Sequence, residues 1–341
     1  SVTSSQQSCL TDVTSGSRAM AASTTATPKP ASNPCLPLPP LAGVVAVAFS
    51  GGADSTALLS AAIASYPERV VALHINHGLQ AAAVDFEAHC KRVCDALGVP
   101  LVIRRVTVTC GPRQSVEAQA RLARYEALAS AAESVNAGCV LLAQHAQDQL
   151  ETVLIALSRG AGLPGLSGMA PQFVRHGMRF IRPILAVQGQ ALRDWLDGQG
   201  MAFIDDPTNQ DTQFTRNRIR RDVLPAIERA LPGVATAVAR SAQHAAQAQK
   251  LLNDLAELDA LAVGVPPNIK LLQGLGVDRQ TNFLRWWLAR MPLATPSAAQ
   301  MAELLLQIEA CKTRGHRIEL RVGAGTVVRS GDVLGFVNSL E

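Results

Sequence analysis

A doubly wound, mainly parallel α/β domain followed by a smaller, mostly helical α+β domain is the architecture this sequence predicts, and three observations predict it. Short β-prone apolar runs at Val44–Phe49, Val70–Ile75, Leu101–Val106 and Cys139–Ala143 alternate with helical stretches at Ser55–Ala64, Ala83–Leu97 and Val116–Val135. Those helical stretches are long enough for right-handed crossovers between parallel strands. A Gly-rich stretch, Arg159-Gly160-Ala161-Gly162-Leu163-Pro164-Gly165, then ends the alternation, and Ala- and Leu-rich helix follows.

Taken in order, residues 1–40 are rich in Ser, Thr, Ala and Pro and lack the apolar periodicity that offsets chain entropy, so this segment is expected to be disordered, with Met20 a candidate natural start. Residues 41–230 hold the strand and helix alternation and end in a helix over Arg216–Ala230. The boundary is placed within residues 225–245. Residues 231–341 then give helices over Ala235–Leu261, Asp278–Arg290 and Ser297–Cys311, closed by β-like runs at Arg317–Val322 and Thr326–Val337.

In open α/β sheets, ligands bind beyond the carboxyl ends of the strands, so the residues after each run are the ones to inspect. After the first run come Ser50-Gly51-Gly52-Ala53-Asp54-Ser55, a strand turning sharply into a helix with glycines where the backbone must approach a ligand. Backbone N–H groups and the helix N-terminus favour an anion there, and the hydroxyls of Ser50 and Ser55 can donate to phosphate oxygens. Asp54 would repel a triphosphate unless a divalent cation lay between them, which makes Mg²⁺ the natural companion. The spacing differs from both G-x-x-x-x-G-K-[ST] and G-x-G-x-x-G, which argues against a P-loop kinase or a dinucleotide oxidoreductase. A plain Gly-Gly turn with Asp at a helix start is the competing reading.

Two more segments occupy the same edge. His74-Ile75-Asn76-His77-Gly78-Leu79 follows the second run, and Ala143-Gln144-His145-Ala146-Gln147-Asp148-Gln149-Leu150-Glu151-Thr152 follows the fourth. His145 and Asp148 sit three apart and share a helix face, so Asp148 could complete a Mg²⁺ site with Asp54; capping is the alternative for Asp148, and a structural role the alternative for His77.

The segment Ser50–Ser55 matches S-G-G-x-D-S and resembles the PP-loop ATP pyrophosphatases, Rossmann-like enzymes that split ATP between the α and β phosphates and adenylate a substrate. The wider set is similar to the tRNA(Ile)-lysidine synthetase family. It includes the two segments above, Arg159–Leu166, Glu117-Ala118 with Arg121, Arg124 and Tyr125, Arg182-Pro183, Asp205-Asp206-Pro207-Thr208-Asn209 and Arg216-Asn217-Arg218-Ile219-Arg220. The resemblance covers about Val44–Pro225 and continues more weakly through Phe283–Phe336, which resembles the family's tRNA-binding domain. It implies a carbon-nitrogen ligase that adenylates the wobble cytidine of tRNA(Ile) with a CAU anticodon at C2 and joins L-lysine to it, releasing AMP and pyrophosphate and shifting codon reading from AUG to AUA. ATP would be the co-substrate and Mg²⁺ the metal, held by Asp54 and Asp148, with His145 beside them as the third catalytic group and Ser50–Ser55 on the nucleotide. Gln144 and Gln147 depart from the pattern, standing where the family often has His and Asp.

Four arginines in six residues, Arg216, Arg218, Arg220 and Arg221, suit phosphate contacts with tRNA or with the leaving group. Arg121 and Arg124 are further candidates, and a solvated helix face paired with Asp222 and Glu228 is the plain alternative. The net charge of +4 is too small to decide this, so distribution matters more than total. Hydrophobic residues make up 48% of the chain but in runs too short to cross a bilayer, so no membrane partner is expected. Seven cysteines without regular spacing give no disulfide framework, and with no secretory signal the expected location is the cytoplasm. Absence of C-x-x-C argues against a PP-loop tRNA thiolase, yet that rival, amide-forming relatives and a nucleotide-binding module without turnover all stay open on the residues alone. Nothing in the sequence fixes an oligomeric state.

Overall fold

The structure, a computed structural model, describes residues 36, 38–76, 83–106, 116–204, 215–291, 294–313 and 315–338. The disorder expected of residues 1–40 falls almost wholly outside the described residues, as do His77, residues 205–209 and the side chains of Glu117 and Ala118.

Six strands form the first sheet: β1 (Val44–Ala48), β2 (Val70–Asn76), β3 (Leu101–Arg105), β4 (Ala137–Leu141), β5 (Gln172–Arg175) and β6 (Met178–Ile181), in the order β3-β2-β1-β4-β6-β5. All neighbours are parallel except β5, which runs antiparallel to β6. Helices α1 (Ala53–Ser65), α2 (Ala83–Leu97) and α3 (Val116–Ser134) make the crossovers. A parallel sheet needs cover on both faces, and the period of two along β1 supplies each face in turn. Val45 and Val47 pack with Leu58, Leu59 and Cys94 on one side, while Ala46 and Ala48 pack with Tyr125, Leu128 and Ala132 of α3 on the other.

Strand order reverses at β1, with β2 on one side and β4 on the other. That reversal is the point at which open α/β sheets bind ligands. The turns leaving β1 and β4 therefore face each other across a cleft.

The α/β pattern does not stop at the Gly-rich stretch. After α4 (Ala146–Ser158) and the short α5 (Leu163–Leu166), β6 joins β4 with Val140 opposite Phe180 and Leu141 opposite Ile181. The strands β5 and β6, of sequence QFVR and MRFI, are short and carry arginines, which hides them from a search for apolar runs. They are joined by His176 and Gly177 at φ of 49° and 72°, the two-residue turn whose twist suits a hairpin. Arg182 consequently emerges from β6 at the ligand edge. Helix α6 (Gly189–Gly198) then covers the α1 side, burying Leu192 and Leu196.

The helix expected over 216–230 is built as α7 (Thr215–Arg218), a π-helical turn (Ile219–Val223) and α8 (Leu224–Ala230). Helix α9 (Val234–Val263) follows, and its Ala235 packs with Leu224 and with Ala146 and Leu150 of α4. Beyond it lie α10 (Ile269–Gln273), α11 (Val277–Leu288), α12 (Ala298–Ala310) and an antiparallel sheet of β7 (Glu319–Val322), β8 (Gly325–Ser330) and β9 (Val333–Asn338). The run expected over 326–337 is thus two strands, broken at Gly331, whose φ is +62°. Phe283, Trp287, Leu304, Val322, Val327 and Leu334 share one core. Among the described residues no helix is long and apolar enough to cross a membrane.

Candidate active site

The turn after β1 is held from inside. Phe49 N–H donates to the Leu73 carbonyl (2.8 Å), and Gly51 takes φ +85°, which a side chain would strain. A Cβ on Gly51 would stand 3.1 Å from both Cys90 Sγ and His89 Cδ2, so α2 forms a close floor beneath the loop. The buried Ser55 accepts from Ser50 N–H (3.2 Å) and donates to the Gly52 carbonyl (3.0 Å), and Thr56 donates to the same carbonyl (2.9 Å). The hydroxyl of Ser55 therefore shapes the loop, whereas Ser50 is exposed. Gly52 is the extended N-cap of α1 without a side-chain cap, leaving the first-turn N–H groups of the helix, including those of Ala53 and Asp54, to a ligand.

Across the cleft, His145 caps α4. Its Nδ1 accepts from Gln147 N–H (3.2 Å), and Asp148 Oδ2 accepts from His145 N–H (3.0 Å), a reciprocal capping box. With Nδ1 used as an acceptor, the ring proton sits on Nε2, which lies 3.4 Å from Asp54 Oδ2 and 3.6 Å from Asp148 Oδ2. Burial pushes the His145 pKa down, but the hydrogen bond to Asp54 and the charges of Asp148 and Asp54 outweigh it, so the pKa is raised. The three residues expected to be catalytic thus meet at the switch point, Asp54 from one side and His145 with Asp148 from the other.

Glu151, one turn beyond Asp148, is 1% exposed, and burial raises its pKa. Arg220 answers it: Nε lies 2.7 Å from Glu151 Oε1, and Nη2 lies 3.2 Å from Glu151 Oε2 and 2.9 Å from Asp148 Oδ1. Arg216, four residues earlier, donates to Thr152 Oγ1 (3.4 Å). The arginine-rich run therefore divides. Arg216 and Arg220 reach α4, Arg220 as the counter-charge of Glu151 and Asp148 although 42% of its side chain stays exposed, while Arg218 and Arg221 are exposed, the latter paired with Asp222 (2.6 Å). Arg121 and Arg124 lie on α3, both exposed, with Arg121 5.3 Å over the Tyr125 ring.

Both departures from the family pattern have partners. Gln147 Oε1 accepts from Gly189 N–H (2.9 Å), tying the start of α6 to α4, and Gln144 Oε1 accepts from Arg182 Nε (3.0 Å). Glu151 and Arg182 are the site residues to which the sequence alone assigned no role. Their signals were present, Glu151 at i+3 from Asp148 and Arg182 in Arg182-Pro183, but burial is what gives them their charge chemistry.

Asp54 and Asp148 bring hard carboxylate oxygens to within 3.6 Å of one nitrogen, which places them close to each other. Mg²⁺ takes one or two carboxylates and fills its shell with water and phosphate oxygens, so this donor set fits it. Of the two, Asp54 is the more open: Asp148 already spends Oδ2 on His145 N–H and Oδ1 on Arg220. Among the described residues, no group of three or more His, Cys, Asp or Glu is arranged to hold a metal without such help.

Residues 36–227 match the family model described as the PP-loop domain, and residues 268–334 match that of the TilS substrate binding domain. The chain is 54% identical over 288 residues to a tRNA(Ile)-lysidine synthase of Polaromonas naphthalenivorans, covering 84% of this chain and 88% of the relative. It is 39% identical to one of Bordetella pertussis, covering 86% and 95%. A third, of Burkholderia mallei, is 42% identical over 79% of this chain but 56% of its own length, so the chain spans little more than half of that longer relative. In fold it resembles a U34-tRNA thiolase of Methanococcus maripaludis, with a TM-score of 0.50 and 15% identity over 59% of this chain and 71% of that one.

Proposed function

This chain belongs to the tRNA(Ile)-lysidine synthase family, and from that premise we infer that it joins L-lysine to the wobble cytidine of tRNA(Ile) with a CAU anticodon while ATP is cleaved to AMP and pyrophosphate. The observation that supports this reading most is the meeting of the Ser50–Ser55 loop with His145 and Asp148 at the switch point of the sheet. Backbone N–H groups at the start of α1 and the exposed Ser50 hydroxyl receive the phosphates of ATP. Mg²⁺, held by Asp54 with Asp148 beside it, would neutralise the phosphate charge.

The cytidine O2 attacks the α-phosphorus, and pyrophosphate leaves. The neutral ε-amine of lysine then attacks C2, the C2–O2 bond breaks, and AMP departs with that oxygen while the amine gives up a proton. His145 Nε2–H holds Asp54 in position throughout, and Arg220 balances the paired charges of Asp148 and Glu151. The exposed Arg218 and Arg221, with Arg121 and Arg124, supply phosphate contacts for the RNA.

A sulfur-transfer reading is disfavoured. The likeness to the thiolase is one of fold, and among the described residues every cysteine is buried, with burial pushing the thiols of Cys90 and Cys94 up to about 12. Release of AMP and pyrophosphate from ATP, measured with and without the tRNA, tests the reading. Turnover that requires the tRNA is expected; equal turnover without it would contradict an RNA adenylation step.

A further inference from the structure

Gln144 stands where the family often carries histidine, and its surroundings restrict what it can do. Arg182 Nε donates to it at 3.0 Å. Arginine has donors only, so the atom facing it must be the amide oxygen, and the amide nitrogen is turned away. Arg182 is itself fixed. It is 6% exposed, donates through Nη1 to the Ala170 carbonyl (2.7 Å) and through Nη2 to Tyr125 Oη (3.4 Å), and stacks 4.3 Å over Phe173.

The amide nitrogen of Gln144 has no protein partner among the described residues and is not among the buried atoms left unpaired, so it opens to solvent at the ligand edge. Direction follows from the chain. His145 is extended (φ −127°, ψ −172°), and neighbouring side chains there point to opposite flanks: His145 to Asp54 on the α1 side, Gln144 to Arg182 and Tyr125 on the α3 side. The phosphate loop takes the α1 flank. The α3 flank, with the exposed Arg121 and Arg124, is left for the other nucleotide.

We propose that Gln144 is a substrate-binding residue whose amide N–H, aimed by Arg182, donates to the acceptor edge of the target pyrimidine. The proposal rests on the reading above that an RNA base enters this cleft. It also accounts for the exchange with histidine: a neutral imidazole, like an amide, accepts on one side and donates on the other. Glutamate accepts from Arg182 but has no donor left, and alanine has neither.

Filter binding of tRNA(Ile) bearing CAU and equilibrium dialysis of ATP are measured on wild type, Gln144→Glu, Gln144→Ala and Gln144→His, with lysine incorporation followed alongside. Loss of one neutral hydrogen bond should weaken tRNA binding roughly 3- to 10-fold in the Glu and Ala variants, leave ATP binding unchanged, and be restored by His. Wild-type affinity for tRNA in Gln144→Glu, a shift in ATP binding instead, or failure of His to restore binding where Glu and Ala have lost it would each overturn the proposal. Tight tRNA binding that still depends on Gln144, without lysine incorporation by wild type, would instead sink the function assigned above and leave this contact standing.

Discussion

His145 Nε2 lies 3.4 Å from Asp54 Oδ2, joining the helix that follows β1 to the helix that follows β4. This contact closes the switch point of the sheet into a site. It also raises the pKa of a largely buried imidazole: burial opposes the charged form, and the hydrogen bond to Asp54 with the charges of Asp148 and Asp54 outweigh that opposition. A folded-state pKa above the unfolded one stabilises the fold below the ordinary histidine value, near 6.5, and that contribution disappears as pH rises through the raised pKa. Asp54→Asn should therefore move the His145 titration downward, as read by NMR of the ring protons without added metal. An unmoved titration would show that Asp54 does not set it.

Among the described residues, Arg220 makes the ion pair to the buried Glu151. Arg220→Met should destabilise the fold by about 1–3 kcal/mol, below the 3–5 kcal/mol typical of a broken buried pair, because Arg220 is itself 42% exposed. Glu151 already has a raised pKa, chiefly from burial, and losing Arg220 raises it further. A raised carboxylate pKa disfavours folding as pH climbs above the ordinary glutamate range, so the deficit should be larger at pH 8 than at pH 5 in urea denaturation. Equal deficits at both would mean Glu151 is not the group being unpaired.

Glu87 on α2 shows the opposite sign. Arg105, with Asn76, holds its carboxyl down to about 2 from an ordinary 4.5. Its contribution is complete above the ordinary value and is lost as pH falls toward about 2. Glu87→Gln should be less stable than wild type at neutral pH, and the two unfolding midpoints should converge in acid. A gap that persists at low pH would assign the loss to packing.

Gly51→Ala places a methyl against Cys90 and His89 at a φ of +85°. The left-handed backbone alone costs about 1–2 kcal/mol, and relief requires the loop to shift. ATP affinity should fall roughly tenfold or more, measured by equilibrium dialysis, with only a modest drop in Tm. Unchanged affinity would show that the loop tolerates the movement.

Much of this site could be read from the residues because its signals are local. Ser50–Ser55 follows an apolar run, and His145 and Asp148 are three apart at a helix start, so sheet logic alone brings them to one edge. The β5–β6 hairpin stayed hidden because an edge pair of four-residue strands carries arginines in place of a continuous apolar run. The division within the arginine run was hidden for a related reason. Its spacing shows density, but only the docking of the π-helical turn on α4 turns Arg220 inward to Glu151 while leaving Arg218 exposed. Gln144 and Gln147 could be read by residue type only as departures from the family pattern. Their partners, Arg182 and Gly189, lie 38 and 42 residues away in sequence.

The central claim is most directly tested by incubating the protein with ATP, Mg²⁺, radiolabelled lysine and unmodified tRNA(Ile) bearing CAU, beside an Asp54→Ala control. The expected result is label in the tRNA with wild type and none with the variant. ATP turnover with no lysine in the tRNA would contradict the assignment and point to another modification of RNA.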